Sequence, residues 1–341
     1  MVQTPSRLQG NMTSTFEFLG LSATDVSTLL TVDLAIESQR QAFSNLASGE
    51  AILAERLLME GVEDSVAFCY AARLNPTSGA VCKFGSMNPA NPAQGRPAVS
   101  ALVTVLDPAT GVPVAVMDGT SVTTIRTSAA SAVAVEALAA PGAHRLAVIG
   151  SGVQAAAHVH AIARVLPLTQ VTIWSADEAG CRALADALNS EYEFSVLTAD
   201  SAAAAVAETD VVATCTTSSE PVLNNEWIAD GTTIVSVGSF APNRFEIPRA
   251  IVERASAVVI DHRPTATDQA GPIVDAIAAG VLKPEDLIEL GDILIGRAQA
   301  RTSPDQVIYY NSVGVGIQDA AAAQAVLEAA RATGLGQRFT L

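Results

Sequence analysis

Ile149-Gly150-Ser151-Gly152-Val153-Gln154-Ala155, at residues 149–155, follows a short apolar run and decides the fold. The stretch matches the pattern G-x-G-x-x-A, which is typical of the strand–turn–helix that binds dinucleotides. Gly150 permits the tight turn, Gly152 lets the backbone approach a pyrophosphate, and Ala155 permits close packing of helix on strand. The free N–H groups at the start of the helix would bind phosphate. We therefore predict a Rossmann domain.

Strands and helices alternate around and after this loop, which indicates βαβ units and a parallel sheet with helices on both faces. The predicted strands are Arg145–Gly150, Val171–Trp174, Phe194–Leu197, Asp210–Cys215, Thr233–Gly238, Ala257–Asp261 and Val307–Asn311. The predicted helices are Gln154–Leu166, Glu178–Leu188, Ser201–Val206, Pro272–Gly280, Asp286–Leu290 and Ile317–Ala332.

The chain has a different character before Pro141-Gly142. A helix is predicted over Val32–Ala47, and apolar runs separated by turn residues then predict a mostly antiparallel sheet. These runs are Ser65–Ala71, Ala80–Phe84, Val99–Leu106 and Pro113–Met117.

The composition describes an acidic globular protein of 341 residues with a net charge of −16, 49% apolar and 16% charged residues. So acidic a chain repels phosphate backbones and anionic lipid, so we expect no nucleic-acid partner and no membrane association. The N-terminus lacks the pattern of a secretory signal. The four cysteines form no CxxC pair and no metal-ligand spacing is found, so we expect free thiols, no metal and a cytoplasmic location.

Several further segments, in this order, resemble the ornithine cyclodeaminase/mu-crystallin family. The resemblance covers most of the chain from about residue 32. The segments are Lys83, Asn88–Asn91, Asp107–Gly111, Val116–Thr120, Thr124–Ser131, Gly150–Gln154, Glu289–Gly291 and Asn311–Asp319.

The resemblance implies an α/β fold in which a Rossmann domain is inserted into an α+β domain for substrate binding and dimerisation. We place the substrate domain at residues 1–126 plus 318–341 and the NAD(P)-binding domain at 127–317. The resemblance also implies a homodimer and activities at the α-carbon of amino acids. These are cyclodeamination of ornithine, reduction of cyclic ketimines and reductive amination of α-keto acids.

Three cations match positions that bind substrate in the family. Arg56 is placed where an Arg holds the α-carboxylate, Lys83 matches the active-site Lys, and Arg126 matches an Arg between carboxylate and nicotinamide. An Arg fork binds a carboxylate through two parallel hydrogen bonds. A Lys can polarise a C=N or C=O group and donate a proton. The predicted ligand is therefore a small substrate that bears a carboxylate.

Phe240 is a departure from the family. It stands in Val237-Gly238-Ser239-Phe240-Ala241-Pro242, where the cyclodeaminases carry an Asp that is expected to act as a base. Phe cannot accept a proton, whereas hydride transfer requires only positioning and an activated imine. Phe240 is either a wall for an apolar or cyclic substrate or a packing residue.

The choice between NAD and NADP stays open. The tip of the second Rossmann strand is the neutral Ser175, with Asp177 two residues later and Arg182 one turn into the helix. The resemblance places Val313 near the substrate. Glu289 matches a frequent family acid to which we assign no role in the site, and a structural ion pair is expected for it. The residues expected to contact the cofactor are Arg126, Thr127 at the start of a helix, Gly150, Gly152, Val153, Gln154, Ser175, Thr216, Val237, Gly238, Arg244 and Ser312.

The function expected first is an NAD(P)H-dependent reductase of an imine or α-keto acid. The first alternative is an ornithine or lysine cyclodeaminase, which would release ammonia without net redox change. The second is a non-catalytic nucleotide- or ligand-binding protein of the mu-crystallin type.

Overall fold

The computed structural model describes residues 15–62 and 64–341, so the predicted lack of a secretory signal falls largely on residues outside it. Within those ranges, no helix is both long and apolar enough to cross a bilayer. The strands are β1 Glu17–Leu21, β2 Ile52–Leu53, β3 Leu57–Glu60, β4 Val66–Arg73, β5 Val81–Met87, β6 Val99–Leu106, β7 Pro113–Asp118, β8 Arg145–Ile149, β9 Gln170–Trp174, β10 Ser195–Thr198, β11 Val211–Thr214, β12 Thr233–Ser236, β13 Ala257–Ile260, β14 Ile288–Glu289, β15 Ile308–Asn311 and β16 Gln337–Thr340. The helices are α1 Ala23–Leu29, α2 Val32–Ser48, α3 Gly119–Leu138, α4 Val153–Ile162, α5 Glu178–Glu191, α6 Ala202–Val206, α7 Arg249–Arg254, α8 Arg263–Gln269, α9 Gly271–Ala278, α10 Leu290–Leu294 and α11 Gly316–Thr333.

The first sheet has the strand order β16-β1-β7-β6-β5-β4-β2, with β3 paired to β4. Its pairs are antiparallel except for β1 with β7, so the predicted antiparallel character is confirmed. Helices α2, α3 and α11 pack together, and α3 and α11 contact these strands. Because the helices cover one face of the sheet, successive side chains of a strand alternate between buried and exposed positions. Val81 and Val103 are buried beneath the helices, whereas Phe84 and Leu102 are exposed on the other face.

The second sheet is entirely parallel and has the order β10-β9-β8-β11-β12-β15-β13-β14. The chain moves outward from β8 to β10 and then returns to the other side of β8 with β11. Ligands bind beyond the carboxyl ends of the strands at such a point of reversal. Neighbouring residues Ala147 and Val148 belong to separate apolar cores, so both faces of the sheet are covered. The predicted Rossmann architecture is confirmed.

Helix α3 contacts strands of both sheets. It begins after Asp118, whose side chain accepts a hydrogen bond from Ser121 N at 2.7 Å and caps the first turn. The prediction that Thr127 begins the helix is therefore wrong, since the cap lies nine residues earlier. The predicted domain division between residues 126 and 127 falls inside α3 and stays a prediction.

Two further details differ from the sequence predictions. The predicted helix Asp286–Leu290 is not formed, because Ile288 and Glu289 pair with β13 as β14, and α10 begins only at Leu290. Strands β1 and β16, which pair with each other at one end of the first sheet, were not predicted. All four side chains of β16 are exposed and only Leu21 of β1 is buried, so neither strand shows the alternation that identifies a strand.

The buried His158 connects α4 to α3 and gives a prediction about stability. Its Nδ1–H donates to the Gln154 carbonyl at 2.7 Å, and the Ser131 hydroxyl donates to Nε2 at 2.9 Å. Burial lowers the pKa of His158 from 6.5 to about 4. The folded protein holds the neutral form of the ring. The contribution of His158 to the free energy of unfolding is therefore complete above pH 6.5 and is lost as the pH falls toward 4. We expect the free energy of unfolding to fall by about 3 kcal/mol from this cause by pH 4.

Denaturant unfolding across pH 4–7 measures this loss. His158→Gln keeps a donor and an acceptor but does not titrate, so its profile should be flatter than that of the wild type. Parallel profiles for the wild type and His158→Gln would refute the assignment.

Candidate active site

A buried cluster of charged side chains lies where β5, α3 and α11 meet. Lys83 Nζ donates a hydrogen bond to Asp319 Oδ1 at 2.8 Å and lies 2.8 Å from Oδ2. Arg126 Nε donates to the same Oδ1 at 3.1 Å, and its Nη1 donates to Gln318 Oε1 at 3.0 Å. The Lys83 and Asp319 side chains are each 2% exposed. One carboxylate thus faces two cations, so the group retains an excess of positive charge for an anionic ligand.

Local structure explains how these three residues meet. Lys83 occupies an inward-facing position of β5, and Arg126 lies in the buried part of α3. Asp319 is in the first turn of α11, where the helix dipole favours a carboxylate. Asp319 was not predicted as a site residue. Its signal in the sequence is that it is the only charged residue between Asp305 and Glu328.

The environment shifts two pKa values in this cluster. Burial lowers the pKa of Lys83 from 10.5 to about 8, against the attraction of Asp319 and with further lowering by Arg126. For Asp319 burial acts to raise the pKa, but Arg126 and Lys83 outweigh it and hold the pKa below its usual value. Lys83 is therefore poised to exchange a proton at mildly basic pH.

Arg56 and Lys83 are both placed on the aromatic ring of Tyr70. Arg56 Cζ lies 5.2 Å and Lys83 Nζ 4.8 Å from the ring centroid. The Arg56 Nε atom is buried and has no hydrogen-bond partner among the described residues. A guanidinium held on an aromatic face with a donor unused is suited to bind a carboxylate. Tyr70 was not predicted.

Most of the predicted site residues line a single cavity of about 350 Å³. The three cations line it beside residues from the ends of β11, β12 and β15, so side chains from both sheets face one space. The predicted residues that line it are Arg56, Lys83, Arg126, Thr127, Gln154, Thr216, Val237, Gly238, Phe240, Ser312 and Val313.

The glycine loop fits a dinucleotide. Gly150 has φ +123°, and a Cβ there would lie 2.8 Å from the Cys215 carbonyl oxygen, so only glycine fits this turn. A Cβ on Gly152 would meet nothing within 4 Å, which leaves room for a phosphate, and no side chain caps α4 there. Gln154 Oε1 is buried without a partner among the described residues. Val153 lies beside it and is 71% exposed.

The buried carboxylate of Glu246 fixes the residues that follow β11 and β12, and it was not predicted. A Cβ on Gly238 would lie 2.2 Å from the Thr216 carbonyl oxygen, so these two segments pack with no space for a side chain. The carboxylate is fully buried and accepts five hydrogen bonds between 2.6 and 2.9 Å. The donors are Thr214 Oγ1, Thr216 N and Oγ1, Ser236 Oγ and Gly238 N.

A second unpredicted carboxylate, Asp261, holds the segment after β15. Its Oδ2 accepts hydrogen bonds from Val313 N at 2.9 Å and Gly314 N at 2.6 Å. Gly314 packs on the guanidinium of Arg126, since a Cβ there would lie 3.1 Å from Nη1. Asp261 therefore sets both the cavity wall at Val313 and the packing behind Arg126.

Six residues named from the sequence do not line the cavity. Arg244 is turned to the Thr217 carbonyl, to which its Nη1 donates a hydrogen bond. Glu289 accepts a hydrogen bond from Arg263 N at 2.7 Å, so it holds the start of α8. The other four lie at the glycine loop and the tip of β9, and they are Gly150, Gly152, Val153 and Ser175.

The model of the ornithine cyclodeaminase/mu-crystallin family matches residues 17–334. The chain belongs to this family.

Relatives in this family reduce imines or dehydrogenate amino acids. The alanine dehydrogenase of Archaeoglobus fulgidus is 30% identical over 325 residues, 95% of this chain and 98% of that protein. The Thermococcus litoralis Delta(1)-pyrroline-2-carboxylate reductase, solved with NADH and L-proline, has a TM-score of 0.90 and 29% identity over 94% of this chain and 99% of that one. The iminosuccinate reductase of Paracoccus denitrificans with NAD+ has a TM-score of 0.87 and 28% identity, covering 96% and 100%. Cyclodeaminase structures also share the fold.

Removal of the carboxylate between the two cations tests how far the site depends on it. In Asp319→Asn, Lys83 and Arg126 would remain buried without their counter-charge. We expect the free energy of unfolding to fall by at least about 3 kcal/mol, as when one partner of a buried ion pair is removed. Denaturant unfolding at pH 7 measures the loss.

Asp33→Asn is the matched control, because Asp33 forms an exposed ion pair with Arg164 at 2.5 Å. Exposed pairs add little stability, so its unfolding midpoint should stay near that of the wild type. Equal losses in the two variants would contradict the central role of Asp319.

Proposed function

We propose that this protein is an NAD(P)H-dependent reductase of an imine or α-keto acid related to a small amino acid, with hydride transferred to the α-carbon. The observation that carries the proposal is the convergence of Arg56, Lys83 and Arg126 on a cavity that Gln154 of the glycine loop also lines. The imine reductases and the alanine dehydrogenase among its relatives support it.

In this proposal two of the cations bind the substrate and the third takes part in the chemistry. Arg56, with an unused donor, binds the α-carboxylate together with Arg126. Lys83 in its ammonium form donates a hydrogen bond to the nitrogen or oxygen of the reacting double bond and then transfers the proton. Asp319 keeps Lys83 and Arg126 in place throughout. The reduced dinucleotide, when bound, supplies the hydride.

The remaining cavity wall favours an apolar side chain or ring on the substrate. A second carboxylate or ammonium would lose much of its hydration against this mostly apolar wall, which costs several kcal/mol. We therefore infer that substrates with an uncharged side chain are preferred. The apolar lining residues are Leu58, Val66, Phe68, Met87, Val99, Phe240, Ala241 and Val313.

The cyclodeaminase alternative needs a base near the substrate amine. Phe240 stands in the cavity wall at the position of the cyclodeaminase Asp, and no carboxylate is among the described residues that line the cavity. These two observations favour net reduction over ammonia release. The non-catalytic alternative would use the same binding groups, so only a measurement of turnover distinguishes it from the reductase.

We also propose a homodimer in the cytoplasm. The face of the first sheet away from the helices exposes the cross-strand neighbours Phe84 and Leu102, at 56% and 58%. Such an apolar face suits a second copy of the chain, and the archaeal alanine dehydrogenase is a dimer. A sedimentation mass of one chain would contradict the proposed dimer.

The cytoplasmic location is supported by the four cysteines, which are free, as suits a reducing compartment.

Lysine substitution tests the catalytic assignment, because the chain has only two lysines, the buried Lys83 and the exposed Lys283. Lys83→Met should lower the rate of imine reduction by about 10²- to 10⁴-fold, the usual effect of losing a general acid. Lys283→Met should leave the rate unchanged. The measurement is oxidation of NADH and NADPH with cyclic imines and with keto acids, each with and without ammonia.

The outcomes separate the three functions. Oxidation of a reduced dinucleotide with an imine or keto acid supports the reductase. Release of ammonia from ornithine or lysine with no net redox change would establish the cyclodeaminase. Binding of a dinucleotide without turnover of any compound would favour the non-catalytic protein.

The lowered pKa of Lys83 predicts opposite pH dependence in the two directions. Reduction needs the ammonium, so its kcat/KM should decline above about pH 8, and oxidation of the product amine needs the neutral amine, so its kcat/KM should rise through the same pH. Rate profiles from pH 6 to 10 in both directions test this, with Lys283→Met as the control. If kcat/KM rose with pH for both reduction and oxidation, or fell with pH for both, Lys83 would not be the proton donor.

A further inference from the structure

The aromatic ring of Tyr70 contacts two of the three cations of the catalytic cavity. Tyr70 is paired with Lys83 across β4 and β5. The ring centroid lies 4.8 Å from Lys83 Nζ and 5.2 Å from Arg56 Cζ. Phe68, two residues earlier on the same face of β4, stacks on Tyr70 with 5.2 Å between the ring centroids. Because the face of an aromatic ring is electron-rich, the Tyr70 ring attracts both cations.

The hydrogen bonds of Lys83 leave one of its N–H groups for the substrate. Nζ donates to Asp319 Oδ1 at 2.8 Å and to the Thr123 hydroxyl at 3.3 Å, and Asp319 Oδ2 accepts no hydrogen bond among the described residues. An ammonium has three N–H donors, so one remains. The Tyr70 ring attracts the positive charge but has no lone pair that would bind this donor strongly. It can therefore hold the ammonium in place without competing with the substrate.

The ring also restrains Arg56. The Nε atom of Arg56 is buried and has no hydrogen-bond partner within residues 15–62 and 64–341. Arg56 and Tyr70 line both the catalytic cavity and a second cavity of about 380 Å³ beside α8, so the two side chains form the partition between the cavities. A guanidinium already held on a ring loses little conformational freedom when it binds a carboxylate. The contact with Tyr70 therefore prepares Arg56 for the substrate.

The hydroxyl of Tyr70 is a weaker acid than Lys83. Burial raises the pKa of Tyr70 above its ordinary value of 10, whereas burial lowers the pKa of Lys83 to about 8. A proton donor works best when its pKa is close to the working pH. Lys83 is therefore the better donor of the two, and the part left for Tyr70 is that of its ring.

We propose that Tyr70 is a positioning residue, whose ring rather than hydroxyl holds Arg56 for the substrate carboxylate and Lys83 for the reacting double bond. The inference rests on the proposed reductase function and adds the group that orients its two cations. Two properties should then depend on the electron density of the ring. These are the KM of the substrate, through Arg56, and the pH above which reduction declines, through Lys83. A side chain that only filled space would give neither dependence.

Ring fluorination at position 70 tests this inference, because fluorine withdraws electron density from the ring face and nearly preserves its shape. A small side chain would instead join the two cavities and admit water. Tyr70→Phe removes only the hydroxyl, so kcat and KM should stay within about threefold of the wild-type values.

Phenylalanine with one and then three ring fluorines at position 70 should raise the KM of a cyclic imine carboxylate in steps, to about tenfold with three. The ammonium of Lys83 loses stabilisation at the same time and gives up its proton more readily. The pH above which kcat/KM for reduction declines should therefore fall, by about one unit with three fluorines.

Trifluorophenylalanine in place of Phe194, which stacks on Tyr192 outside both cavities, is the matched control and should change neither value. The dissociation constant of NADH, measured from the fluorescence of the bound nucleotide, should stay constant along the position-70 series. A parallel loss of NADH binding would show a merely structural role and would overturn the inference.

Two further results would also overturn it. One is a KM and a pH profile that do not change along the series, and the other is a loss of more than about tenfold in kcat/KM for Tyr70→Phe, which would make the hydroxyl essential. A wild-type protein that reduces no imine and no keto acid would instead refute the proposed function, and this inference with it.

Discussion

The ion cluster of Lys83, Arg126 and Asp319 is the constraint around which the rest of the site is arranged. Two buried cations share one carboxylate, and each of the three side chains comes from a different element. If one of them were misplaced, the others would carry an uncompensated buried charge, which is far more costly than a lost surface contact. The packing of β5, α3 and α11 is thereby tied to the geometry of the site.

Outside this cluster the protein positions its cavity through carboxylates bound to backbone N–H groups. Glu246 holds the ends of β11 and β12, and Asp261 holds the segment after β15. Buried polar groups that are fully hydrogen-bonded fix one arrangement of the backbone. The loops after β11, β12 and β15 that line the cavity are therefore preorganised by buried acids. This arrangement lets an acidic chain present a locally positive cavity.

The sequence allowed the Rossmann sheet to be predicted because its strands are short apolar runs bounded by turn residues. The glycine loop carried its own signal, whereas Arg56, Lys83 and Arg126 were identified through the family resemblance. Asp319, Glu246 and Asp261 were missed because their roles depend on contacts between distant elements, which local periodicity does not encode. Strands β1 and β16 at one end of the first sheet lack the alternation of buried and exposed side chains that would have identified them.

The separation of Lys83 and Asp319 by 236 positions has a consequence for the order of folding. At a synthesis rate of 5–20 residues per second, roughly 10–50 s pass between the appearance of the lysine and that of its carboxylate. During that interval β5 cannot bury Lys83 without an unpaired charge, so the first sheet has to remain open toward α11. Docking of α11 and burial of the charged Lys83 thus become the same event.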